Sequence, residues 1–130
     1  MKTKIYVGAS FEDRLIVKEL ENKLKSRGFK ITSNWTEHFN KNECEMYAKE
    51  DLQGIKDADI LVVYNSSHKT TGKITEIGMA IYKGIPVLVF GEPYSSIFSY
   101  MVQNIDWIKI QSLDYIARYI TEYATEYLEA

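Results

Sequence analysis

A single cysteine, Cys44, is all the thiol chemistry in 130 residues. It has no partner for an internal disulfide and no second thiol with which to share a metal, so a reducing compartment, the cytoplasm, is expected. No run approaches the roughly 20 apolar residues that span a bilayer, and the chain opens on a strand-like segment rather than a signal peptide. Basic excess is missing as well. The 16 Lys and Arg against 18 Asp and Glu give a formal net charge of -2, scattered with no stripe to neutralise the phosphates of a duplex. Membranes and polymeric nucleic acid are therefore not expected partners. Two prolines and seven glycines leave no linker or low-complexity stretch. No cluster of His, Cys and carboxylates has metal-ligand spacing, and no metal or other cofactor is expected.

What is present is the composition of one folded domain, residues 1–130, with 45% hydrophobic and 26% charged residues. Ten tyrosines, seven of them after position 80, offer apolar faces with polar tips of the kind that suit a subunit interface, so a homo-oligomer is expected. Lys4 to Ala9 reads as a short apolar strand. From Phe11 to Arg27, Leu15, Leu20 and Leu24 recur at helical spacing until Gly28 stops the helix. Residues 29–32 read as a second strand, and 43–57 as a helix marked by Met46, Leu52 and Ile55. Ile60 to Tyr64 is a strand buried on both faces.

The spacing of Ile74, Ile77 and Ile81 predicts a helix over 74–83, ended by Gly84. Strands follow at 85–90 and 107–110, with helices at 96–103 and 113–128. Five strands alternating with five helices predict a three-layer α/β/α, flavodoxin-like, doubly wound parallel sheet of order 2-1-3-4-5. Ligands of such sheets sit beyond the carboxyl ends of the strands, near the first and third, which singles out the loops starting at Gly8 and Asn65.

Asn65-Ser66-Ser67-His68-Lys69-Thr70-Thr71-Gly72 strings small polar groups in front of a helix. Their backbone N–H groups can receive an anion, or the hydroxyls can simply cap the helix. Glu76 lies off the Ile74, Ile77 and Ile81 stripe, so packing does not call for it. It reads either as a solvated glutamate that complements the helix dipole or as a reactive carboxylate near the strand ends.

Three segments together shift the weight toward the reactive carboxylate. Lys4-Ile5-Tyr6-Val7-Gly8-Ala9-Ser10, the stretch from Asp51-Leu52-Gln53-Gly54 through Asp59-Ile60-Leu61-Val62-Val63, and Gly72-Lys73-Ile74-Thr75-Glu76-Ile77-Gly78-Met79-Ala80 with Lys83-Gly84-Ile85-Pro86-Val87 stand in order. Together they resemble the nucleoside 2-deoxyribosyltransferase family, including its 2'-deoxynucleoside 5'-phosphate N-hydrolase branch. The resemblance runs from residue 4 to about 113. It implies that Glu76 is the covalent nucleophile on the anomeric carbon. It makes Asp51 the partner of a sugar hydroxyl or of the attacking carboxylate, and Tyr6 the hydroxyl that orients Glu76. A carboxylate suits this chemistry because N-glycosidic cleavage passes through an oxocarbenium-like state that an anion stabilises or traps.

The resemblance further implies a substrate-binding set of Gly8, Ser10, Trp35, Thr70, Gly72, Ser99 and Met101. The transferases carry an aspartate six positions before the nucleophile, where this chain has Thr70; the hydrolase branch has a phosphate-contacting serine there. Ser10 and Ser99 match other such serines, and Ser99-Tyr100-Met101 matches a segment reaching the neighbouring subunit. Glu12, by contrast, stands where the hydrolase branch has an arginine, with Arg14 or Lys73 as possible substitutes. Trp35 is either a platform for a base or a loop residue covering the core. His38 reads as a loop hydrogen-bonder. The expected activity is cleavage or exchange of the N-glycosidic bond of a small (deoxy)nucleoside or nucleotide. The alternatives are hydrolysis of 2'-deoxynucleoside 5'-monophosphates and a non-catalytic nucleotide-binding module. An NAD-glycohydrolase on the same kind of sheet is argued against by the Asp51 segment and the short chain.

Overall fold

The computed structural model describes residues 3–38, 44–66, 71–92 and 105–129. Five parallel strands, β1 (Lys4–Ala9), β2 (Lys30–Ile31), β3 (Ile60–Asn65), β4 (Val87–Gly91) and β5 (Ile105–Ile108), form one sheet of order β2-β1-β3-β4-β5. This is the doubly wound flavodoxin-like arrangement, with the order reversing between β1 and β3. Among the described residues four α-helices flank it: α1 (Arg14–Ser26), α2 (Cys44–Asp57), α3 (Thr71–Lys83) and α4 (Leu113–Tyr127). The helix expected over 96–103 lies outside the described residues. None of the described helices is long and apolar enough to cross a membrane.

The three central strands are mostly apolar and buried because helices cover both faces of the sheet. Ile5, Tyr6, Val7, Ile60 to Val63 and Val87 to Phe90 are all buried. From α1 the core takes Val17, Leu20 and Leu24, and from α4 Ile116, Ala117, Ile120 and Ala124. Several expected core markers prove to be surface residues. Leu15 is 73% exposed, and Met46, Leu52 and Ile74 are exposed too. Leu15 fails because residues 11–13 form a separate 3-10 turn and α1 starts only at Arg14, so the inward stripe begins at Val17. Ile74 fails because α3 starts at Thr71 and turns Lys73, Ile77 and Ala80 toward the sheet.

The two helices on either side of Tyr6 are tied together at their far ends. The Lys83 ammonium, at the end of α3, donates to the carbonyls of Ile55, Lys56 and Ala58 at 3.3, 2.5 and 2.7 Å. A cation at the C-terminus of α2 meets the negative end of its dipole and its unpaired carbonyls.

Candidate active site

Tyr6 sits in the middle of β1 with its neighbour Leu61 on β3, and is completely buried. Its hydroxyl donates to Glu76 Oε2 at 2.7 Å. Burial above all, then the charges of Glu76 and Asp51, push the phenol far above its ordinary range, so Tyr6 holds its proton and acts as a donor. Two residues on, and so on the same face of the strand, Gly8 clears the space for the other carboxylate oxygen. A Cβ built there would lie 2.5 Å from Glu76 Oε1.

Glu76 occupies an inward position of α3, one turn after Lys73 and next to Ile77. A glutamate in that setting pays for desolvation in its proton affinity. Burial is the main cause that raises its pKa from 4.5 to about 7, with the Asp51 charge adding and the Tyr6 hydrogen bond opposing.

Asp51 arrives from α2. One turn later Gly54 lets this helix lie directly on the Tyr6 ring: a Cβ at Gly54 would come within 3.0 Å of the ring and 2.8 Å of Thr32 O. Asp51 Oδ1 is buried and has no hydrogen-bond donor among the described residues, an arrangement that costs on the order of 1–3 kcal/mol unless a ligand supplies one. His38 Nδ1 lies 4.0 Å from Asp51 Oδ1. Burial raises the Asp51 pKa, against the lowering effect of His38. His38 is itself fixed on its other edge by Glu50 Oε2 at 3.1 Å and stacks on Tyr47 with ring centroids 3.8 Å apart. It is the hydrogen-bonding loop residue that its sequence context suggests.

At the carboxyl ends of β1 and β3 lies a second polar group that sequence reasoning did not assemble. Ser66 Oγ donates to Asp13 Oδ2 at 2.5 Å, and the fully buried Lys73 Nζ donates to Asn65 Oδ1 at 2.9 Å. Asn65 Nδ2 in turn donates to Glu92 O at 2.6 Å. Burial lowers the Lys73 pKa, while Asp13 and Glu12 act to raise it. The available signal for this group was the spacing of Lys73, Ile77 and Ala80, which places the lysine on the buried face.

The remaining sequence-derived residues fall as follows. Ser10 is buried, and its carbonyl accepts from Asp13 N. Gly72 is exposed in the first turn of α3. Trp35 is 8% exposed, packs in the core cluster, and its Nε1–H donates to Val7 O at 2.7 Å. Thr70, Ser99 and Met101 lie outside the described residues. No group of three or more metal-ligating side chains occurs among the described residues.

The chemistry this arrangement offers is that of a carboxylate with near-neutral proton affinity, anchored by Tyr6 at one oxygen and set against Gly8 at the other. No family model and no curated relative matches the sequence. Solved structures do match. A CMP N-glycosidase of Clostridium botulinum aligns at a TM-score of 0.67 and 17% identity, covering 92% of this chain and 99% of that one. A 2-deoxyribosyltransferase from Bacillus psychrosaccharolyticus aligns at 0.66 and 22% identity, covering 90% and 92%. This chain has the flavodoxin-like fold that those two enzymes share.

Proposed function

We propose that the chain cleaves or exchanges the N-glycosidic bond of a small (deoxy)nucleoside or nucleotide, with Glu76 as a covalent nucleophile, as in the nucleoside 2-deoxyribosyltransferase family. The observation that carries the proposal is the treatment of the Glu76 carboxylate. Tyr6 binds Oε2, Gly8 makes room at Oε1, and burial holds the proton affinity near neutrality. Two structures of the same fold bear N-glycosidase and deoxyribosyltransferase names, which supports the reading.

In this mechanism Oε1 attacks the anomeric carbon. The C–N bond breaks as the C–O bond forms, and the departing pair stays on the base nitrogen, which takes up a proton. Tyr6 keeps Oε2 fixed through the step. Asp51 Oδ1, buried and lacking a donor among the described residues, accepts a hydroxyl of the sugar. Water then attacks the glycosyl ester and returns the carboxylate, giving hydrolysis. A second base in its place gives transfer, and either route retains configuration overall.

The test follows base release and base exchange by wild type and Glu76→Gln over a panel of deoxynucleosides, ribonucleosides and 5'-monophosphates, with and without a free acceptor base. The amide keeps the shape but not the anion, so the chemical step should fall by about a thousandfold or more while ligand binding survives. Equal turnover by the two proteins overturns the mechanism. Binding without any turnover by wild type replaces it with a nucleotide-binding module.

A further inference from the structure

On one side β1 is paired by only two residues of β2, Lys30 and Ile31, and the ladder ends with Thr32 N donating to Ile5 O at 2.8 Å. Alternate residues of a parallel strand send both backbone groups to the same neighbour. Val7, two residues on from Ile5, therefore faces the place where β2 has already stopped. A buried peptide left there without partners is costly. Two side chains stand in for the missing strand: Ser33 Oγ accepts from Val7 N at 3.1 Å, and Trp35 Nε1 donates to Val7 O at 2.7 Å.

The single hydroxyl proton of Ser33 goes to Glu21 Oε2 at 2.5 Å, which leaves a lone pair for the Val7 N–H. Glu21 reaches it from the inward face of α1, whose other buried residues are Val17, Leu20 and Leu24. Packing alone asks for a fourth apolar side chain at that position. What stands there is a carboxylate only 5% exposed, with the equally buried Ser33 as its donor.

Val7 lies between the two residues that hold Glu76. Tyr6 binds Oε2, and the bare Cα of Gly8 lies against Oε1. We propose that Ser33, backed by Glu21, is a positioning residue for the Glu76 carboxylate: by gripping the Val7 peptide it fixes both the donor at Oε2 and the clearance at Oε1. Its consequence for turnover rests on the glycosidic reading of Glu76; its consequence for the carboxylate itself does not.

The experiment compares wild type, Ser33→Ala, Ser33→Thr and Glu21→Gln by two readouts. One is a carbon NMR titration of the Glu76 carboxyl, which needs no substrate; the other is kcat and KM for base release across pH. Ser33→Ala removes the acceptor of the Val7 N–H, and Ser33→Thr keeps it. Glu21→Gln keeps the size but removes the anion that orients the hydroxyl, and it carries the test should Ser33→Ala not fold. The titratable groups that act on Glu76, Tyr6 on β1 and Asp51 on α2, are unchanged in every variant, so a moved titration reports their placement.

With Tyr6 held less firmly, Glu76 loses part of the bond that lowers its proton affinity, and its titration in Ser33→Ala should move up from about 7. The kcat should fall by about tenfold with KM within about twofold of wild type, as expected for a misplaced reacting atom. Glu21→Gln should move both readouts the same way by less, and Ser33→Thr should restore them. A Glu76 titration that neither Ser33→Ala nor Glu21→Gln moves, or a loss confined to KM, overturns the assignment while leaving the glycosidic activity standing. Absence of base release by wild type removes the glycosidic reading alone, and the titration then decides the positioning by itself.

Discussion

Glu76→Gln should separate stability from pH in a way that a merely structural glutamate would not. In the folded chain Glu76 titrates at about 7 instead of 4.5. Between those values the folded state keeps a proton that the unfolded state releases, so stability falls as pH rises through the window and the whole loss is in place above pH 7. At about 1.36 kcal/mol per pH unit the difference corresponds to a destabilisation of roughly 3 kcal/mol at pH 8, taken as an upper figure. Gln carries no charge to desolvate and still accepts the Tyr6 hydrogen bond.

The variant should therefore gain up to about 3 kcal/mol relative to wild type between pH 4.5 and pH 8, while losing activity. Asp51 and Glu21, whose pKa values burial also raises, add slope of the same sign to both proteins and largely cancel in the difference. Urea unfolding followed by the fluorescence of Trp35 and Trp107 at pH 4.5, 6 and 8 gives the two stability curves. Parallel curves would refute the claim that folding holds this carboxylate against its charge.

Two further substitutions probe the same carboxylate from its neighbours. Gly8→Ala puts a Cβ 2.5 Å from Oε1, and since the clash is with the end of a side chain, the carboxylate moves before the strand does. Base release should fall by about a hundredfold, as expected for a misplaced reacting atom, with a stability loss near 1 kcal/mol by thermal unfolding; full activity would deny Oε1 its role. Tyr6→Phe removes the bond that lowers the Glu76 pKa, so the rise of kcat/KM with pH should shift to higher pH, and an unmoved profile would show that the bond does not set the proton affinity.

The parallel sheet and its order were legible because buried parallel strands are near-continuous apolar runs, as at Ile60 to Tyr64, and alternate with helical segments. Boundaries were less so. The strand expected at 107–110 is paired at Ile105–Ile108, where its partners on β4 fix the register. Residues in contact through space but distant in sequence were legible only as matched segments. Nothing in the spacing of Tyr6 and Glu76 announces a 2.7 Å hydrogen bond across 70 residues. The Asp13, Ser66, Asn65 and Lys73 group escaped for the same reason, and because a lysine on a helix is ordinarily read as solvated. Trp35 was ambiguous because an indole that packs and one that stacks on a base look alike in a sequence; the hydrogen bond from its Nε1–H to Val7 O is visible only in the fold.

The Lys83 knot described with the fold also bears on how a ligand gets in. All three protons of the ammonium have an acceptor at the end of α2, so α2 and α3 form a pair of tongs riveted at one tip, with Asp51 on one arm and Glu76 on the other. Such tongs part only at the unriveted tip. On the proposed function, a ligand would enter at the carboxyl edge of the sheet, where parting of the two arms leaves the three Lys83 bonds made.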